Sequence, residues 1–153
     1  MGVCLGGLMT TKEYLTQYRR LMTDIAFYKS LKEDAIYNVA SLKSPNMDGD
    51  RVQTSPKNDP IGILVIEYER NIAKYDMEIL SCKAKMILIS NQIDHMREID
   101  EEYFKLLTYK YIIGLDWQEI SQKMYMSLSK VTHLHSPALL KFESLYGENY
   151  KNA

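Results

Sequence analysis

Apolar residues follow a heptad spacing along residues 61–96, where intervals of four and three alternate without a polar interruption. The series consists of Ile61, Val65, Tyr68, Ile72, Tyr75, Ile79, Cys82, Met86, Ile89, Ile93 and Met96. This spacing places every member on one face of a long α-helix and is typical of a helix that packs against another helix. Asp59 and Pro60 precede the series, and they supply an N-cap and a proline at the first helical position.

A second stripe lies nearer the N-terminus and is interrupted only by Lys32. Its members are Tyr14, Tyr18, Leu21, Ile25, Tyr28, Ala35, Val39 and Leu42. The two stripes predict an all-α fold in which residues 11–96 form a long antiparallel helical hairpin, with a polar, proline-containing loop at 43–60. We expect residues 1–10 to be a flexible N-terminal extension, within which Met9 is an alternative start.

The composition gives the chain no global attraction to nucleic acid or to a membrane. The 153 residues have a formal net charge of −1, so anion binding must depend on local charge. Cys4 and Cys82 form no disulfide framework, and we expect a reduced, cytoplasmic setting. His95, His133 and His135 have no cysteine or carboxylate at zinc-ligand or triad spacing. We therefore predict no metal, no cofactor and no enzymatic activity.

Residues 97–148 follow a different pattern, that of short capped helices. N-caps are available at Asp100, Asp116 and Ser127, and Gly114 can end the first of the three helices. The cap at Asp116 is followed three places later by Glu119, which is the capping-box spacing. The middle helix has only about two turns, and a three-residue turn separates it from the last helix. This order predicts a helix-turn-helix unit.

The last helix of this unit has an unusual charge pattern, because no acidic residue lies between Ile120 and Phe142. If Val131 and Leu134 point to the core, the opposite face is polar and basic. In a helix-turn-helix, such a face enters the major groove and contacts base edges and phosphates. The candidate DNA-binding residues are Ser129, Lys130, Thr132, His133 and Ser136 on the last helix and Lys123 before the turn.

The run YKYIIGLDWQEISQKMYMSLSKVTHLHSPAL resembles the sigma-70 region 4-like helix-turn-helix, and more closely that of phage and prophage transcriptional regulators of the RinA/ArpU type. The opening TTKEYL, the polar break VQTSPKNDPIG and the two long helices are similar to the layout of that family, so the resemblance extends from about Met9 onward. It implies a phage-encoded DNA-binding regulator, with late genes as candidate targets. By matched position, residues 127–135 would be the recognition helix.

Three departures from the family pattern lead to expectations about structure and binding. Tyr125 occupies a turn position where the family often has glycine, so a left-handed conformation there would cost on the order of 1 kcal/mol. Pro137 follows Ser136 inside the last helix, and a proline removes an amide donor and collides with the preceding turn. We therefore expect the recognition helix to kink or end near His135. His133 replaces a frequent arginine, which would make phosphate binding weaker or dependent on pH.

An alternative function is that of a helical interaction protein. On this reading the hairpin binds RNA polymerase or another phage protein, and the helix-turn-helix binds little DNA. The oligomeric state also stays open, because either apolar stripe could be covered within one chain or by a second copy. A salt titration of duplex binding separates the two functions, since each phosphate contact adds about −0.9 to the slope of log affinity against log salt.

Overall fold

The computed structural model describes residues 7–44 and 59–152, which are all-α with no strand. The helices along these residues are α1 (Thr11–Lys43), α2 (Pro60–His95), α3 (Glu101–Leu107), α4 (Trp117–Met124), α5 (Leu128–Tyr146) and α6 (Glu148–Lys151). A 3₁₀ turn, Met96–Glu98, follows α2, and a π-helical segment, Thr108–Ile113, continues α3. The predicted all-α class and the long helical hairpin formed by α1 and α2 are confirmed.

Two compact units divide the chain. The hairpin unit comprises Thr23–Lys83, and the terminal unit comprises Met1–Met22 together with Ala84–Ala153. The predicted extension at residues 1–10 and the predicted loop at 43–60 lie largely outside the described residues. No helix among the described residues has the combination of length and apolar character needed to cross a lipid bilayer.

Within the hairpin unit, the predicted stripes of α1 and α2 face each other. The Tyr28 and Tyr75 rings lie 6.3 Å apart between centroids, and Ala35, Ile79 and Cys82 are buried. Lys32, the polar interruption in the first stripe, extends its ammonium group to Asp76 at 2.6 Å. An aliphatic stem can cover an apolar seam while its charged end stays at the edge, so the interruption does not break the packing.

A second apolar stripe of α2 lies on the outside of the hairpin unit. Ile63, Ile66, Met77 and Leu80 are 65%, 58%, 67% and 62% exposed. Each residue rotates an α-helix by about 100°, so these positions fall on the face opposite the buried stripe. They are also spaced at heptad intervals, with Arg70 and Ala73 completing the series. We refer to Ile63, Ile66, Arg70, Ala73, Met77 and Leu80 as the outer stripe.

The terminal unit has a continuous core to which its helices each contribute side chains. The largest fully buried side chains are Leu15, Ile89, Ile93, Met96, Leu106, Leu107, Ile120, Val131 and Phe142. The Tyr14 hydroxyl donates to Gln92 Oε1 at 2.7 Å, and its ring stacks on Tyr150 with centroids 4.2 Å apart. Burial of each large apolar side chain contributes about 1.5–3 kcal/mol, so this core fixes the helices that follow Met96.

Helix α5 does not end near His135. It runs without interruption from Leu128 to Tyr146, with Pro137 in its interior, so the expectation of an early end was wrong. The missing amide of Pro137 leaves the His133 carbonyl without its usual helical donor. Ala138 and Phe142 after the proline are both fully buried, and their packing outweighs the local preference of proline.

The continuity of α5 predicts that Pro137→Ala stabilises the protein. A proline in a helix interior costs the folded state about 3 kcal/mol. Its removal also makes the unfolded chain more flexible, which stabilises the unfolded state by roughly 0.4–1 kcal/mol and offsets part of the gain. We therefore expect the free energy of unfolding to rise by about 2 kcal/mol in chemical denaturation, with unchanged helicity. Pro60→Ala is the matched control, because the first position of α2 tolerates proline and should respond little. Equal responses of the two variants would contradict this account.

Candidate nucleic-acid interface

Helix α4 begins with a complete capping box. The Asp116 side chain accepts a hydrogen bond from the Glu119 amide at 2.8 Å, and the Glu119 carboxylate accepts one from the Asp116 amide at 2.9 Å. Two of the four amides that lack helical partners at a helix start are satisfied in this way. Ile120, one turn from the cap, is fully buried. The predicted cap of α4 at Asp116 and its length of about two turns are both confirmed.

The turn between α4 and α5 contains a strained residue. Tyr125 has φ 55° and lies in the left-handed region, which costs a residue with a Cβ about 1 kcal/mol. The Met126 amide donates to the Ser121 carbonyl at 3.0 Å, which closes the end of α4. The Ser127 hydroxyl then accepts from the Lys130 amide at 3.2 Å and caps α5. The tight connection predicted from the sequence is therefore present, with tyrosine at the position where glycine is preferred.

His135 joins α5 to the two preceding helical elements. Its Nε2 lies 2.7 Å from the Tyr111 hydroxyl, and its ring meets the Trp117 ring edge-on with centroids 4.9 Å apart. Burial, followed by repulsion from Lys12 and Lys110, lowers the pKa of His135 from 6.5 to about 4. Burial also raises the pKa of Tyr111 to about 12. At neutral pH both partners of this hydrogen bond are therefore uncharged.

All six candidate DNA-binding residues are exposed. Five lie on α5 and one on α4; they are Ser129, Lys130, Thr132, His133, Ser136 and Lys123. Val131 is fully buried and Leu134 is half-buried, as their spacing on the inner face requires. The polar face of α5 is therefore accessible within the terminal unit.

The hydrogen bonds of this face separate its residues into two kinds. The Thr132 hydroxyl donates to the carbonyls of Leu128 and Ser129 at 3.0 and 2.9 Å. His133 Nδ1 lies 2.6 Å from the Ser129 carbonyl, so Nδ1 carries the hydrogen and Nε2 is left for a ligand. By contrast, no ion pair of the described residues involves Lys123 or Lys130. Both ammonium groups are thus available to an external anion.

The terminal unit also contains a basic pocket, which is lined by none of the candidate residues above. It has a volume of about 170 Å³ and is lined by Lys12, Thr16, Arg19, Lys110 and Tyr111. The first three share one face of α1 at helical spacing, which the sequence could have indicated. Lys110 lies some ninety residues further along the chain, and no local pattern relates it to α1.

Comparison of the chain with protein-family models, with curated proteins and with solved structures finds no match.

The environment of His135 predicts a loss of stability at mildly acidic pH. Because the folded pKa is about 4 and the unfolded value about 6.5, the unfolded chain binds more protons between these values. The free energy of unfolding should therefore fall as the pH drops from 6.5 toward 4, by about 2 kcal/mol after allowance for partial solvent screening.

Chemical denaturation at a series of pH values tests this prediction, with His135→Phe as the comparison. The variant loses the Tyr111 hydrogen bond and is expected to be less stable at neutral pH. Its stability should nevertheless fall less steeply over this window, because the group that titrates is gone. Parallel pH profiles for the two proteins would show that His135 does not determine the acid sensitivity.

Proposed function

We propose that the chain is a sequence-specific DNA-binding transcriptional regulator that uses α4, the turn and α5 as a sigma-70 region 4-like helix-turn-helix. The resemblance to RinA/ArpU-type regulators supports a phage or prophage origin, a role at late genes and action in the bacterial cytoplasm. The observation that carries the proposal is the exposed polar face of α5 over residues 128–142, which contain no acidic residue, with Lys130 available near the helix N-terminus.

The chemistry of this face suits a duplex. Lys130 can contact a phosphate or a guanine edge, because an ammonium group donates to either. His133 Nε2 can accept from a base amino group while Nδ1 remains bonded to the Ser129 carbonyl. The buried side of α5 keeps the helix rigid during docking, and rigid elements position contact residues more accurately than loops. Lys123, before the turn, is proposed as a further phosphate contact.

We predict that Lys130→Ala weakens duplex binding several-fold and leaves the melting temperature unchanged. Stability should not change because Lys130 is exposed and its side chain has no ion-pair partner among the described residues. Selection of bound sequences from random duplexes supplies the target, and affinity is then measured at several salt concentrations. The slope of log affinity against log salt should fall by about 0.9. Lys74→Ala, an exposed lysine on α2, is the control for the change in total charge.

Two outcomes would count against this proposal. If Lys130→Ala and Lys74→Ala bind the duplex as well as the original protein, Lys130 makes no contact. If no duplex is enriched in the selection, the regulator proposal fails and protein binding through the hairpin becomes the better account.

A second candidate function, protein binding by the hairpin, is favoured by the outer stripe. Four large apolar side chains at heptad spacing are each more than half exposed, and apolar stripes of this kind mark helix–helix interfaces. We propose a second copy of the chain as the occupant, because the stripe is self-complementary. In an antiparallel pairing along the full length of the stripe, Ile63 meets Leu80 of the second copy and Ile66 meets Met77. Arg70 inside the outer stripe would lower the affinity of this pairing while restricting its register.

We predict that Leu80→Glu dissociates the proposed dimer. Loss of apolar burial from both copies, at about 1.5–3 kcal/mol for each leucine, should weaken association by at least tenfold in sedimentation equilibrium. Leu140→Glu is the matched control, because Leu140 is also largely exposed, at 66%, but lies on α5. A monomeric original protein would rule out the second copy and leave RNA polymerase or another phage protein as the occupant of the stripe.

A further inference from the structure

The basic pocket of the terminal unit is formed by two elements that are distant in the sequence. Lys12, Thr16 and Arg19 come from α1, and Lys110 and Tyr111 come from the π-helical segment. The cavity of about 170 Å³ has room for roughly five water molecules at about 30 Å³ each. It is therefore large enough for a small polyatomic anion, and too small for a folded partner.

The charged side chains that line this pocket are all cationic. Three of the five lining side chains are cationic, and none is a carboxylate. Their field extends into the neighbouring core, where Lys12 and Lys110 contribute to the lowered pKa of His135. Like charges held around one cavity repel each other. An anion between them would be attracted to each cation and would offset this repulsion. The chemistry of the lining thus selects an anionic ligand.

Two of the three cations are held in place by the surrounding structure. Lys110 Nζ lies 4.4 Å from the centroid of the Trp117 ring, at the first residue of α4. Arg19 donates to the carbonyl of Ile112 at 3.2 Å and to that of Ile113. A Cβ at Gly114 would come within 2.6 Å of the Arg19 guanidinium, so glycine at this position makes room for it. The pocket is accordingly arranged before a ligand arrives, which lowers the entropy lost on binding.

We propose that the pocket formed by Lys12, Thr16, Arg19 and Lys110 binds a phosphate group. The oxygens of a phosphate, whether a monoester or a backbone diester, point in several directions from a tetrahedral phosphorus, which suits several cationic donors around one cavity better than a planar carboxylate does. We assign the phosphate to the backbone of a DNA duplex, a source that rests on the proposed function. A phosphorylated small molecule offers the same group, and the experiment distinguishes the two.

The position of the pocket supports the DNA source. Lys110 contacts Trp117 at the start of α4, and Tyr111 bonds His135 on α5. Two residues of the pocket lining therefore contact the two helices of the helix-turn-helix. Phosphate contacts beside a recognition helix fix the register of a protein on the duplex without reading its sequence.

The test compares Lys12→Gln with Lys29→Gln. Both lysines are exposed residues of α1, but only Lys12 lines the pocket. In the first arm, duplex affinity is measured against salt concentration, and Lys12→Gln should lower the slope by about 0.9 while Lys29→Gln does not. In the second arm, melting temperature is measured in inorganic phosphate and in chloride at equal ionic strength. Phosphate should stabilise Lys29→Gln more than Lys12→Gln.

The outcomes separate the two proposals. A smaller salt slope for Lys12→Gln alone supports a backbone phosphate in the pocket. If the original protein binds no duplex but phosphate stabilises it through Lys12, the pocket takes a free phosphorylated ligand and the regulator proposal fails. If the two variants behave alike in both arms, the phosphate pocket is overturned, whatever the result for Lys130→Ala.

Discussion

Val131, Ala138 and Phe142 are fully buried along one side of α5, and this packing determines which side chains of the helix reach solvent. Because the inner side is fixed at three points over about three turns, the helix has little freedom to rotate. Ser129, Lys130 and their neighbours are consequently presented on the outer side. The same packing keeps α5 continuous across Pro137, where local preference alone would favour a break.

A small polar assembly inside the terminal unit connects this helix to the basic pocket. The Tyr111 hydroxyl lies within hydrogen-bonding distance of His135 Nε2, and Trp117 contacts both the His135 ring and the Lys110 ammonium group. A buried polar pair of this kind stabilises only when both partners stay bonded. The neutral state of His135 is therefore required by the core as well as by the two lysines that repel a proton from it.

Local signals in the sequence predicted the N-caps of the short helices and the length of α4, because each depends on residues a few positions apart. Asp116 with Glu119 and Ser127 act as predicted. The continuation of α5 through Pro137 could not be predicted, because it depends on tertiary packing and not on local sequence preference. The pocket was missed because Lys110 reaches α1 only in the folded chain. The outer stripe also has heptad spacing, but it is interrupted by Arg70, whereas the buried stripe of the same helix has no polar interruption.

The nearly neutral total charge is compatible with anion binding because the carboxylates of the terminal unit are largely engaged. They cap helices or pair with nearby cations at Asp94, Asp100, Glu101, Asp116, Glu119 and Glu143. A carboxylate paired with a cation offsets the field of that cation, and a carboxylate that caps a helix faces the positive end of the helix dipole. Lys12, Lys123 and Lys130 have no such partner among the ion pairs of the described residues. Local positive potential therefore coexists with a net charge of −1, and total charge is a poor guide to what this unit binds.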